Sequence, residues 1–183
     1  MIIKAMRESR RIMITYRRYG SASINSFSVA PYCVKLFKQR WYVLTKLEKV
    51  MAIFSLDRIE SIELQETKFT IDPDFDAASY FNDCFGIVIG DGGKAERIVL
   101  RAYGLEPYYL RSLPLHHTQR ELNRTDDYTD FEVHLKPTSD FMAHLMSRGQ
   151  WIEVISPQWM ADEMQNWFQE ALDRYQKKKN EEK

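Results

Sequence analysis

Apolar and polar positions alternate along the first third of the chain, then give way to a mixed rhythm. Between Arg10 and Tyr19, residues Ile12, Ile14 and Tyr16 fall on one face and Met13, Thr15 and Arg17 on the other. That period of two is a strand with one buried side. Residues 2–8 precede it as a short amphipathic helical turn with Ile2, Ile3 and Met6 on one side. Gly20-Ser21 turns the chain, and Phe27 to Phe37 runs extended, with Pro31 marking a bulge or an edge position. Lys38-Gln39-Arg40 is a polar turn into Trp41-Tyr42-Val43-Leu44-Thr45, and Leu47-Glu48-Lys49 turns that strand into 51–55. A polar step, Asp57-Arg58, leads into a strand over 59–65. One helix and about five short consecutive strands predict a small barrel, because closure hides their edges.

Residues 73–93 read as a linker between this unit, 1–72, and a second, 94–177. Asp74 or Asp76 is placed to cap a short helix through Phe81. Gly90-Asp91-Gly92-Gly93 reads as a hairpin turn between Phe85–Ile89 and Glu96–Tyr103. A strand at Arg97–Tyr103, a helix at Leu105–Leu113, a strand at Leu115–Leu122, a turn at Asn123–Asp127 and a strand at Tyr128–Leu135 follow. A helix opened by Pro137-Thr138-Ser139-Asp140 runs through Met146 and stops at Gly149. A last strand at Trp151–Ile155 and a long helix from Pro157 to Lys177 complete the unit, and residues 178–183 form a charged, frayed tail. The order β-α-β-β-α-β with a tail helix is the ferredoxin-like plan, so the predicted class is α+β.

Composition narrows the function more by exclusion than by suggestion. Over 183 residues, 26 Lys and Arg balance 26 Asp and Glu, so any contact with nucleic acid must come from a local patch rather than from a global field. Cys33 and Cys84 lie too far apart for a zinc or redox motif and read as reduced thiols of a cytoplasmic protein. No apolar run reaches the length of a membrane span, and no leader resembling a signal peptide is visible.

The triplet Trp41-Tyr42-Val43, followed at hairpin distance by Phe54-Ser55-Leu56-Asp57-Arg58-Ile59, resembles the WYL domain of bacterial transcriptional regulators. The resemblance extends from Ala5 through Arg10–Tyr16 to Phe69. Leu113–Gln119 and Ser147–Pro157 look like the C-terminal extension (WCX) that often follows it. The resemblance implies a barrel of Sm/SH3-like type followed by the ferredoxin-like extension, a homodimer, and a sensor of single-stranded nucleic acid or a nucleotide-type ligand. It also implies a helix-turn-helix domain that binds duplex DNA. This chain starts at the WYL region, so that part is expected to be absent, whether removed or replaced by a stand-alone sensor. Carried over onto matching positions, the family's patch is Tyr16, Tyr42 and Arg58. One position departs: the family usually has Arg two residues before the strand Phe, and here it is Ala52, which removes a cationic contact that Lys35, Lys46 or Lys49 would have to replace.

Physically, such a patch can stack a base and pair a phosphate. Trp41 and Tyr42 are adjacent and so point to opposite faces of a strand; at least one is expected in the core, and packing is favoured for Trp41. Arg58 has a plain alternative, a strand-end salt bridge to Asp57 or Glu60. The basic cluster Arg10-Arg11 and Arg17-Arg18, interleaved by Tyr16 and Tyr19, is the strongest local charge feature and adds Arg18 to the candidate ligand set of Tyr16, Trp41, Tyr42 and Arg58. A solvated strand end explains it about as well. His116-His117 diverges on a strand and lacks ligand spacing with His134 or His144, so no metal is expected. No nucleophile–base constellation stands out, and neither an enzyme activity nor a cofactor is expected. Trp159, Met160, Met164, Trp167 and Phe168 form an apolar stripe on the last helix, read as core or dimer packing. The rival to a sensor is a structural dimerisation or interaction module that binds no small ligand.

Overall fold

The computed structural model describes residues 1–21, 23–90 and 93–181, with residues 178–181 described as backbone only. The chain divides into two compact units, Met1–Asn82 and Asp83–Lys183, and the division falls inside the 73–93 stretch. Both are mixed α+β units built on antiparallel sheets.

In the first unit, helix α1 (Ile2–Glu8) precedes β1 (Arg10–Arg17), β2 (Ile24–Phe37), β3 (Arg40–Leu47), β4 (Val50–Ser55) and β5 (Ile59–Lys68). The sheet order is β4-β3-β2-β1-β5. The 14-residue β2 serves two partners: Ile24–Val29 pairs with β1 and Ala30–Phe37 with β3. A register shift between Pro31 and Cys33 lies in the β3-paired half, as expected where proline removes a ladder donor. The period-two pattern of β1 holds, with Ile12, Ile14 and Tyr16 buried against Ala5, Val29, Val43 and Phe54. The strand ends at Arg17, two residues short of the expected Tyr19.

The tight connection between β2 and β3 takes unusual backbone. Lys38 and Gln39 both adopt positive φ, 44° and 64°, as the two-residue turn between β2 and β3 requires for the twist of its flanking strands. After β5, helix α2 (Ala77–Tyr80) is capped by Asp76, whose carboxylate accepts the Ser79 N–H at 2.7 Å. Phe69 stacks on Tyr32, and Phe75 meets both Tyr32 and Tyr80. The first half of the expected linker therefore packs as an aromatic cluster of the first unit.

The second unit has the order β6 (Glu96–Tyr103), α3 (Glu106–Ser112), β7 (Arg120–Arg124), β8 (Tyr128–Leu135), α4 (Ser139–Ser147), β9 (Ile152–Ser156) and α5 (Gln158–Glu181). Its sheet runs β7-β8-β6-β9, each pair antiparallel. Ile98, Leu100, Phe131, Val133, Phe141 and Leu145 are among the buried residues of its core.

Three strand and turn expectations need correction here. Phe85–Ile89 is not a strand: the Asp140 carboxylate accepts the Ile87 and Val88 N–H groups at 3.0 and 3.3 Å, so a side chain occupies donors that a ladder would need. The proposed hairpin turn includes residues 91 and 92, which lie outside the described residues. Leu115–Leu122 is a strand only from Arg120, because Gln119 ties the preceding loop down, accepting from the Leu115 N–H and donating to the Leu110 carbonyl. Asn123 and Arg124 belong to β7, and the turn is confined to 125–127.

Gly149 does not adopt the left-handed conformation expected of a helix-stopping glycine; a Cβ there would stand 2.0 Å from Cζ of Phe168, so the position is kept small for close packing. Helix α5 passes Lys177 and extends to Glu181, with residues 182–183 outside the described region. Among the described residues no helix is long and apolar enough to cross a membrane.

Candidate functional site

The polar cluster of the first unit is built at the C-terminal end of β1, where the strand's buried face meets the turn after β4. Tyr16 is the last inward residue of β1, 4% exposed, with its ring edge-on to Phe54 at 4.9 Å. Its hydroxyl accepts the Ser55 N–H at 3.4 Å, and burial raises its pKa. A 3-10 turn over Leu56–Arg58 follows, closed by the Ser55 hydroxyl donating to the Asp57 carboxylate. That bond, with a smaller contribution from Arg40, holds the Asp57 carboxyl below the usual carboxylate range despite an opposing desolvation. A short polar side chain bonding two residues ahead is a local alternative to continuing the strand.

The turn delivers Arg58 to the end of β1. Its guanidinium carbon lies 5.1 Å from the Tyr16 ring centre and 4.7 Å from that of Tyr19. Both distances fall within cation–π range. The alternative, a strand-end salt bridge of Arg58 to Asp57 or Glu60, is not made. Asp57 pairs with Arg40 at 3.2 Å, and Glu60 with Arg17 at 2.6 Å. Among the described residues no carboxylate pairs with Arg58, and its buried Nε has no hydrogen-bond partner. Arg40 also donates to the Tyr19 hydroxyl at 3.3 Å, joining Tyr19, Arg40, Asp57 and Ser55 into one chain of contacts beside Arg58.

Of the sequence candidates, Tyr16 and Arg58 are thus brought together. Tyr42 is half-buried and pairs across the sheet with Ser55 on one side and Lys35 on the other. Trp41 is not a packing residue: it is 51% exposed and stands opposite Leu36, also exposed. Arg18 is exposed just past the end of β1. Lys35 lies over the Phe81 ring at 4.0 Å, and Ala52 packs partly against the core opposite Thr45, whose hydroxyl donates to the Ala52 carbonyl. Two members of the cluster, Tyr19 and Arg40, fall outside the sequence-derived ligand set. Tyr19 was visible as an aromatic within the basic cluster, whereas Arg40 reads locally as a turn residue.

The stripe on α5 splits. Met160 and Met164 are buried in the core of the second unit and Trp167 packs against it, while Trp159 and Phe168 are substantially exposed. His116 and His117 sit in a loop with ring centres 4.1 Å apart, and His116 Nδ1 lies 2.7 Å from the Thr118 hydroxyl oxygen. Among the described residues no His, Cys, Asp and Glu group has the arrangement of a metal site.

The second unit also holds a recess of about 1070 Å³, whose walls include Leu105, Tyr109, Leu113 and Trp151. At its side, Arg148 donates through Nε at 3.0 Å, and through Nη2, to the two carboxylate oxygens of Glu106.

Residues 1–64 match the family model of the WYL domain. Among solved structures, the chain is similar to proteasome accessory factor B/C of Arthrobacter aurescens, at 18% identity over 95% of this chain and 26% of that one, with a TM-score of 0.39. It is also similar to a CRISPR Cas-related protein, at 12% identity over 97% of this chain and 51% of that one, with a TM-score of 0.53. The chain therefore spans 26% and 51% of the lengths of these two relatives, and the second likeness is one of fold. No curated protein matches its sequence. The WYL-domain match thus covers residues 1–64, the stretch that holds Tyr16, Tyr19, Tyr42 and Arg58.

Proposed function

We propose that this chain is the effector-sensing portion of a bacterial transcriptional regulator, without catalytic activity of its own. Its barrel binds single-stranded nucleic acid or a nucleotide-type ligand at Arg58. The observation that carries this reading is the state of Arg58: a cation beside two tyrosine rings whose neighbouring acids are each engaged by another arginine. A guanidinium with unspent donors pairs a phosphate, and an exposed ring stacks a base. Tyr19, 70% exposed, is the stacking surface, and Arg18 and Arg40 add positive charge around it.

On this reading the first unit is an Sm/SH3-like barrel, supported by the order β4-β3-β2-β1-β5 with a helix before it and a 3-10 turn ahead of the last strand. The second is a ferredoxin-like extension of WCX type, supported by its split βαβ units and the order β7-β8-β6-β9. The regulator works as a cytoplasmic homodimer, with Trp159 and Phe168 of α5 at the dimer contact, and reaches duplex DNA through a helix-turn-helix domain outside this chain.

A second reading has its own observation. Tyr16 is core, which favours a structural module whose aromatic residues only pack. Equilibrium binding of a short labelled single strand separates the two. Arg58→Ala is expected to weaken binding by about tenfold, the scale of one charge-assisted contact. An unchanged affinity, or no binding by the unaltered chain at high micromolar protein, favours the structural module.

A further inference from the structure

We propose that the recess in the second unit is a binding site for an apolar carboxylate, a small molecule with an aliphatic or aromatic body and one anionic end. This rests on the second unit alone and is independent of the barrel reading. The recess is bounded by the start of α3, the loop after it, the end of α4 and the residue before β9. Its volume of about 1070 Å³ suits a drug-sized ligand.

Its walls are apolar and unusually bare. Leu105, Tyr109 and Leu113 are more than half exposed, Leu113 at 80%, and Trp151 at 42%. Side chains of this kind gathered around one recess mark a binding surface more often than single exposed apolar residues do. Trp151 is held there by Gly104, whose φ of +58° and missing Cβ let the indole approach; a Cβ would stand 3.3 Å from its ring.

The polar end follows from the ion pair. The Glu106 side chain is 5% exposed and that of Arg148 is 38% exposed, so a ligand meets the cation and not the carboxylate. Glu106 uses the Nε and Nη2 edge of the guanidinium, which leaves Nη1 and the second Nη2 hydrogen as donors. The pair orients the fork, and an incoming carboxylate meets its outer edge while the body covers the leucines. His144, against Phe85 at 5.0 Å, also lines the recess, as does Tyr109, and neither is a carboxylate.

Octanoate and its neutral isostere octanamide test the assignment on the full chain by amide chemical-shift titration. The expected result is saturable octanoate shifts confined to residues 104–115 and 144–151, with octanamide weaker by about tenfold, one charge-assisted contact. Leu113→Glu places a carboxylate on an exposed wall position that the fold does not use, and is expected to weaken octanoate by at least about tenfold through lost apolar contact and repulsion. Absence of saturable shifts, equal affinity for octanamide, or an unaltered affinity in Leu113→Glu would each overturn the proposal.

Discussion

The Arg58 guanidinium lies 4.7 Å from the ring of Tyr19, and neither residue is held there by an acid pairing with Arg58. Tyr19 is exposed past the end of β1, so removing its ring leaves the core of the unit intact. Tyr19→Ala is expected to lower affinity for a short single strand by about 1–2 kcal/mol, the worth of one base stack, with no measurable change in thermal unfolding. Anisotropy titration and calorimetry check the two halves. A large loss of stability would place the ring in packing instead.

Tyr16 ties the same region to pH. Burial raises its pKa, against weaker opposing effects from the Ser55 N–H and Arg58. A tyrosine with a raised folded-state pKa contributes stability that is full below its unfolded value of about 10 and is lost as pH rises through the folded value. The expectation is a fall in unfolding midpoint on the alkaline side of pH 10, diminished in Tyr16→Phe. Denaturant melts across that range, compared between the two proteins, read it directly.

Gly149 is kept small by Phe168. A Cβ at residue 149 would overlap the ring, and Phe168 is exposed enough to swing away at the cost of its contact. Gly149→Ala is expected to destabilise the protein by about 1–2 kcal/mol, within the usual range for overpacking. In a Phe168→Ala background the same change is expected to cost little. A double-mutant cycle measures that coupling, and additive effects would remove the steric explanation.

Gln39 sits at φ 64° in the turn between β2 and β3, a conformation that glycine adopts freely and glutamine does not. Gln39→Gly is expected to stabilise the protein by about 1 kcal/mol, readable as a higher urea midpoint at constant slope.

What the sequence made legible follows the range of the interactions involved. The strands of the first unit could be read because burial on one face imposes a period of two, and Ile12, Ile14 and Tyr16 obey it. The same rule placed Tyr16 inward. It could not place Arg58, whose position depends on which arginine each acid chooses: Arg40 reaches Asp57 from the start of the neighbouring strand β3, and Arg17 reaches Glu60 across the sheet.

Where a polar side chain replaced a ladder partner, strand reading failed, as at Ile87 and Val88 under Asp140, and at Leu115 under Gln119. The recess was invisible in the sequence because α3, α4 and the residue before β9 each supply only a few of its residues. Trp41 reads as core by composition yet is exposed, since its cross-strand partner Leu36 offers no cover.

The central claim is that Arg58 is a ligand-facing cation. Its most direct test is the salt dependence of single-strand binding, measured by fluorescence anisotropy for the unaltered chain and Arg58→Ala. If Arg58 contacts a phosphate, the plot of log affinity against log salt becomes shallower by about 0.7 in the variant, the release expected for one contact on a single strand. An identical slope, or binding that survives Arg58→Ala undiminished, would contradict the account and leave the first unit as a packing module.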